Sequence, residues 1–125
     1  MAKRKVTNLT DVSEITCVIQ KGKADDIVQS LLDAGIQGAT VHSGVGTGIR
    51  ERMGLLGVAV EVEREIVQVL VSKDQVDRIF ERMYLAGRFD TPGMGYMYAA
   101  PLVQAATYIP AHLLEDKDSI SSMGM

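Results

Sequence analysis

An α+β sandwich of order β-α-β-β-α-β is what this sequence predicts. Three observations carry the prediction. Two stretches show the apolar spacing of amphipathic helices, four are β-branched or alternating, and they interleave as two β-α-β crossovers. Such crossovers are right-handed, so both helices fall on one face of a four-stranded sheet. The chain has 125 residues, the size of one domain, and 46% of them are hydrophobic, enough to bury a core.

Residues 1–12 are polar and aperiodic and are expected to form a flexible arm, with Lys3-Arg4-Lys5 as a solvated basic tail. Residues 13–112 make the folded domain. Glu14 to Gln20, "EITCVIQ", reads as the first strand, broken by "KGK". Ala24 to Ala34 is helical, because Ala24, Ile27, Val28, Leu31 and Leu32 share one face. Asp25 and Asp26 suit its first turn, where the helix dipole favours negative charge. Gly35 stops it by taking a left-handed conformation. "GATVHSG" is a short second strand. "VAVEVEREIVQVLVS" alternates, but Val58, Val60 and Val62 are even and Val67, Val69 and Val71 odd. One strand cannot hold both sets on one face, so a bulge or break is expected near Glu63 to Ile66, with the core strand at Glu65 to Val71.

Ser72 and Gln75 have capping-box spacing before a second helix whose face is Val76, Ile79, Phe80 and Met83 and whose end is Gly87. "RFDTPGMG" is a turn-rich loop, "YMYAA" a fourth strand, "PLVQAA" a turn or helical piece, and "TYIP" a short extra C-terminal strand. Residues 113–125 are polar and expected to be a disordered tail. The order is that of a ferredoxin-like sandwich. Apolar residues at both strand parities, such as Cys17 and Val18, Val69 and Leu70, Tyr96 and Met97, imply that both sheet faces are covered and that the chain oligomerises through its sheet.

Composition narrows the function. A net charge of -3 argues against a nucleic-acid binder. No apolar run is long enough to span a bilayer. Thr7, Asn8, Thr10 and Asp11 interrupt any apolar region behind the basic N-terminus, so no signal peptide is expected and a cytoplasmic location is the default. Cys17 is the sole cysteine and reads as a small buried hydrophobe, with no adjacent cation to activate it. His42 and His112 are too few and too far apart for a metal site. Glu61, Glu63 and Glu65 alternate; they read as a solvated face, with metal binding as the sharper option. Met94 and Tyr96 read as core. No nucleophile–base pair emerges, so an enzyme is not expected.

The densest signal is "TVHSGVGTGIRERMGLLG", Thr40 to Gly57. Glycines alternate at Gly44, Gly46 and Gly48. Such a run can offer backbone N–H groups to an anion, form a plain turn, or hinge a moving loop. A dinucleotide fingerprint is a poor fit, because the spacing should be G-x-G-x-x-G and the glycines should lead into a helix. Arg50 and Arg52 suit phosphate or carboxylate, or are solvated beside Glu51. Met53, Leu55 and Leu56 are apolar residues in a glycine-flanked loop; they serve partner docking or fold back on a subunit interface.

The stretches "ITCVIQKGKADDIVQSLLDAGIQGATV", "GTG" and "VQVLVSKDQVDRIFERMYLAGR" together resemble the PII signalling family of nitrogen regulatory proteins, over about Glu14 to Ile109. The resemblance implies a ferredoxin-like homotrimer with adenine-nucleotide sites between subunits and a mobile T-loop that docks on a target, often a membrane transporter. The T-loop-like segment is 49–64 and the B-loop-like segment 87–95. By resemblance Thr40 contacts adenine, Val18 and Leu70 line its pocket, and Gly46, Thr47 and Gly48 form the loop base. Arg88 opens the second loop, with Phe89, Asp90, Thr91, Gly93 and Gly95 following it. The family's B-loop lysine has no counterpart in "DTPGMGYM", its Arg-x-Arg pair none in "AATYIP", and its uridylylated tyrosine none in 49–65. The chain is closer to the divergent PII-like branch, whose members bind other nucleotides or anions and often regulate inorganic carbon or ion transport. The expected ligand is ATP, ADP, AMP, cyclic AMP or a related anion. The rival expectation is a ligand-independent trimeric interaction module that has lost nucleotide binding.

Overall fold

The computed structural model describes residues 6–46, 62–110 and 112. The elements are β1 (Val12–Gln20), α1 (Ala24–Asp33), β2 (Ala39–Gly46), β3 (Val62–Ser72), a short 3-10 turn (Lys73–Gln75), α2 (Val76–Gly87) and β4 (Gly95–Pro101). The sheet is antiparallel, in the order β2-β3-β1-β4. This is the ferredoxin-like arrangement that the crossover argument demands: each helix returns the chain over one face to a non-neighbouring strand.

The core lies between that face and the helices. Ile15, Cys17 and Ile19 of β1 and Val67, Val69 and Val71 of β3 meet Ile27 and Leu31 of α1 and Ile79 and Met83 of α2, all buried. Gly35 takes φ +86 and stops α1 as expected. α2 ends differently. Gly87 is still helical and Arg88 adopts the left-handed conformation, φ 54. Gly87 is needed for its lack of a side chain, since a Cβ there would collide with the Phe89 ring and press on Ile19.

Four expectations are corrected. β3 has no bulge: its register with β1 runs unbroken from Val12↔Ser72 to Gln20↔Arg64, and with β2 from Ala39↔Val69 to Gly46↔Val62. The parity conflict resolves because Glu63 and Glu65 share the helix face with Val67 but lie past the end of the helices. The capping box does not form. Ser72 makes no cap bond; its hydroxyl donates to Asp74 Oδ1 at 2.7 Å, and a 3-10 turn precedes the helix. No strand forms at 107–110, and "PLVQAA" is not helical. An isolated bridge joins Leu9 to Ala105 instead, with the Leu9 N–H donating to the Ala105 carbonyl at 2.7 Å. That bridge changes the reading of the arm. Leu9 is 5% exposed, Val12 opens β1, and both pack with Leu70, Leu102, Ala105 and Ile109. The described residues 9–12 are therefore tied down.

The second sheet face is only partly covered within one chain. Leu70 lies under the Leu9 cluster. Further along, Thr40, Gln68, Thr16 and Tyr98 form one cross-strand row and His42, Ile66, Val18 and Tyr96 the next. Tyr96 is 60% and Tyr98 49% exposed, so Tyr96 is not core; their rings stack at 6.5 Å.

Candidate functional site

The antiparallel register brings one end of every strand to the same edge of the sheet: Gln20 of β1, Gly46 of β2, Val62 to Arg64 of β3 and Gly95 of β4. The β1–α1 turn at 21–23 and the loop at 88–94 lie on this edge. Residues 47–61 join Gly46 to Val62 there. Thr47, Gly48, Arg50, Arg52, Met53, Leu55 and Leu56 lie outside the described residues, as do Glu61 and most of the segment 49–64.

The 88–94 loop is a pair of tight turns. The Thr91 N–H donates to the Arg88 carbonyl at 2.9 Å and the Met94 N–H to the Thr91 carbonyl at 3.1 Å. Gln20 clamps it twice: its side-chain amide donates to the Gly93 carbonyl at 3.0 Å, and its backbone N–H to the Met94 carbonyl at 3.1 Å. Gly93 has φ +80 and Gly95 φ +145. A Cβ at Gly95 would overlap the Val18 carbonyl oxygen, so Val18 and Gly95 are in close approach. Phe89 stacks on Tyr84 with ring centroids 6.2 Å apart. Arg88, Asp90 and Thr91 are exposed.

The described sequence-derived site residues therefore fall at three places. Val18 and the residues from Arg88 to Gly95 come together. Thr40 and Gly46 lie on β2, the far edge strand, three interstrand steps away, or roughly 14 Å at about 4.8 Å per step. Leu70 sits at the opposite end of β3, paired to Glu14 and packed in the Leu9 cluster. One chain does not gather all of them.

Two features of the edge were not read from the sequence. Glu65 reaches across to the β1–α1 turn, where its Oε1 accepts the Gly22 N–H and, at 3.2 Å, the Ala24 N–H. It thereby satisfies free amides at the start of α1, which has no side-chain cap of its own. Next to it Lys21 Nζ pairs with Glu63 Oε2 at 2.7 Å in solvent. Their hydrogen bond and opposite charges raise the Lys21 pKa and lower that of Glu63. The carboxylate alternation was the available signal, but the partner is 41 or more residues away in sequence and leaves no local trace. The second feature is a cleft of about 240 Å³ on the helix side of the loop, lined by Lys23, Asp26, Ala86, Gly87, Arg88 and Met94.

His42 and His112 are exposed. Among the described residues, no group of three or more His, Cys, Asp or Glu could hold a metal, and no helix is long and apolar enough to cross a membrane.

A family described as Nitrogen regulatory protein P-II matches residues 12–109. The crystal structure of Arabidopsis thaliana PII bound to citrate is similar, with a TM-score of 0.59 at 19% identity, over 74% of this chain and 78% of that one. At that identity the likeness speaks for the fold. No curated protein matches the chain in sequence.

Proposed function

Because this chain belongs to the nitrogen regulatory protein P-II family, we propose that it is a homotrimeric signal-transduction regulator. It binds an adenine nucleotide or a related small anion between subunits and controls a partner, a membrane transporter in the first instance, through the segment joining β2 to β3. Family membership over 12–109 is the observation that carries this reading. The geometry adds support. Thr40 and Gly46 lie strands away from the Arg88–Gly95 loop, and a site that uses both sets needs a neighbouring subunit. The open sheet face with Val18, Ile66 and Tyr96 offers the apolar surface for such packing. The solved relative holds citrate, a small anion.

Ligand control requires that the ligand bind one loop conformation better than another. The glycine run from Gly44 to Gly48 then acts as cradle and hinge together. The test is a thermal-shift panel with ATP, ADP, AMP, cyclic AMP and citrate, with and without magnesium. A ligand that binds only the folded state raises the melting temperature by mass action. A selective rise that disappears in Gly46→Val, with the trimer intact by light scattering, supports the reading. No shift with any of them favours the ligand-independent interaction module. The lack of a B-loop lysine and of an Arg-x-Arg pair in "AATYIP" is the observation on that side.

A further inference from the structure

Of the cleft between the start of α1 and the end of α2, the nucleotide reading uses the Arg88 loop and leaves Lys23, Asp26 and Ala86 unused. Lys23 and Arg88 bring two cations, Asp26 one carboxylate, and Ala86 and Met94 an apolar floor. Among the described residues, no hydrogen bond or ion pair engages the side chains of Lys23, Asp26 or Arg88. The amides of Gly22 in the β1–α1 turn and of Ala24 at the start of α1 already go to Glu65, so any recognition here comes from side chains rather than from the helix end.

We propose that this cleft binds a small acidic amino acid, a molecule with two carboxylates and one amine. The size argues for it. A volume of about 240 Å³ holds on the order of eight waters at ~30 Å³ each, or a compound of roughly ten non-hydrogen atoms. Drug-sized ligands occupy about 300–1,000 Å³, so a smaller molecule is the better match to this cleft. The charge argues for it as well. Two carboxylates answer Lys23 and Arg88, arginine taking a carboxylate in a forked pair. The ammonium answers Asp26, which would repel a plain dicarboxylate. The short aliphatic chain lies on Ala86 and Met94. Lys23 stands between Gly22 and Ala24, whose amides are both held by Glu65. A ligand on Lys23 thus acts on the turn to which the start of β3 is tied.

The test is isothermal calorimetry of the full chain with L-glutamate, L-aspartate, glutarate (no amine) and 4-aminobutyrate (one carboxylate). At least one amino acid binds with a Kd of about a millimolar or below, and both deletion analogues bind at least about tenfold more weakly. Lys23→Ala weakens the amino acid by about tenfold or more, and Asp26→Asn abolishes the preference over glutarate. Lys23 and Asp26 are exposed, and unchanged circular dichroism melts confirm that the variants fold. The proposal is overturned by no heat from either amino acid up to about 10 mM, by glutarate binding as well as glutamate, or by affinities that ignore both substitutions. Because Arg88 belongs to both readings, ATP is titrated into Lys23→Ala and Asp26→Asn, which lie outside the nucleotide reading: unchanged ATP binding beside lost amino-acid binding tells failure of one site from failure of the other.

Discussion

Gly95 and Cys17 show two ways in which one residue type is imposed by its surroundings. At Gly95 the backbone is at φ +145 and a Cβ would sit on the Val18 carbonyl oxygen. Gly95→Ala must therefore move β4 away from β1 or twist the backbone, and is expected to cost more than about 2 kcal/mol. Urea unfolding checks this; a loss no larger than that of Gly38→Ala, where a Cβ meets open space, would refute it. The sequence marked Gly95 as a turn glycine of "RFDTPGMG" and by resemblance, but not for its contact with Val18, because a strand-to-strand approach leaves no local pattern. Cys17 was legible from alternation with Ile15 and Ile19, and it is fully buried. Burial pushes its thiol from 9.0 up to about 11, a backbone hydrogen bond with Val67 opposing the rise. The folded state thus favours the neutral thiol. Its contribution to stability is complete below pH 9 and is lost as the pH rises through about 11. Melting temperature should fall more steeply over that window in the native chain than in Cys17→Ala; coincident profiles would exclude the thiol as the cause.

Elements were easier to find than to join. Both helices, β1 and β3 follow from residue pattern because each buries one face, whereas β2 and β4 hold no fully buried residue among those described within one chain and were marked by their flanking glycines and short apolar runs. The bulge placed near Glu63 to Ile66 fails because parity was judged as though every residue on the helix face had to be apolar. β3 outruns the helices, and its first inward residues, Glu63 and Glu65, meet the β1–α1 turn with carboxylates. Glu65 there replaces the missing cap of α1. Glu65→Ala is expected to destabilise the fold by about 1 kcal/mol, as loss of an N-cap does. It should also speed hydrogen exchange at the Gly22 and Ala24 amides specifically. Unchanged exchange at those two amides would mean that the bonds do not hold the turn. The Lys21–Glu63 pair beside it is in solvent, and exposed pairs contribute little. Glu63→Gln thus serves as a control that leaves exchange at Gly22 and Ala24 as it was.

At the scale of the whole molecule, the sequence indicated two covered faces where one chain covers a face and part of the other. The tie between residues 9–12 and 102–109 closes the Leu70 end, a long-range contact that no window of sequence contains. What remains open is the His42–Ile66–Val18–Tyr96 row and the exposed tyrosine stack. In the proposed trimer this row is the inter-subunit core. Ile66→Lys puts a charge at its centre, where an unpaired cation can be buried only at a large cost. It projects away from the helices, so the single-chain core of Ile15, Val67 and Met83 is untouched. Light scattering should then show a trimeric native chain and a smaller, still folded Ile66→Lys species. Nucleotide-dependent thermal shifts should vanish with the trimer, since no single chain gathers Thr40, Gly46 and the Arg88 loop. A variant that remains trimeric would move the interface off this face, to the β2 edge, where Val41 and Val45 are exposed. A variant that falls to monomers yet keeps its ligand response would instead put the whole binding site within one chain, and leave β2 with no part in it.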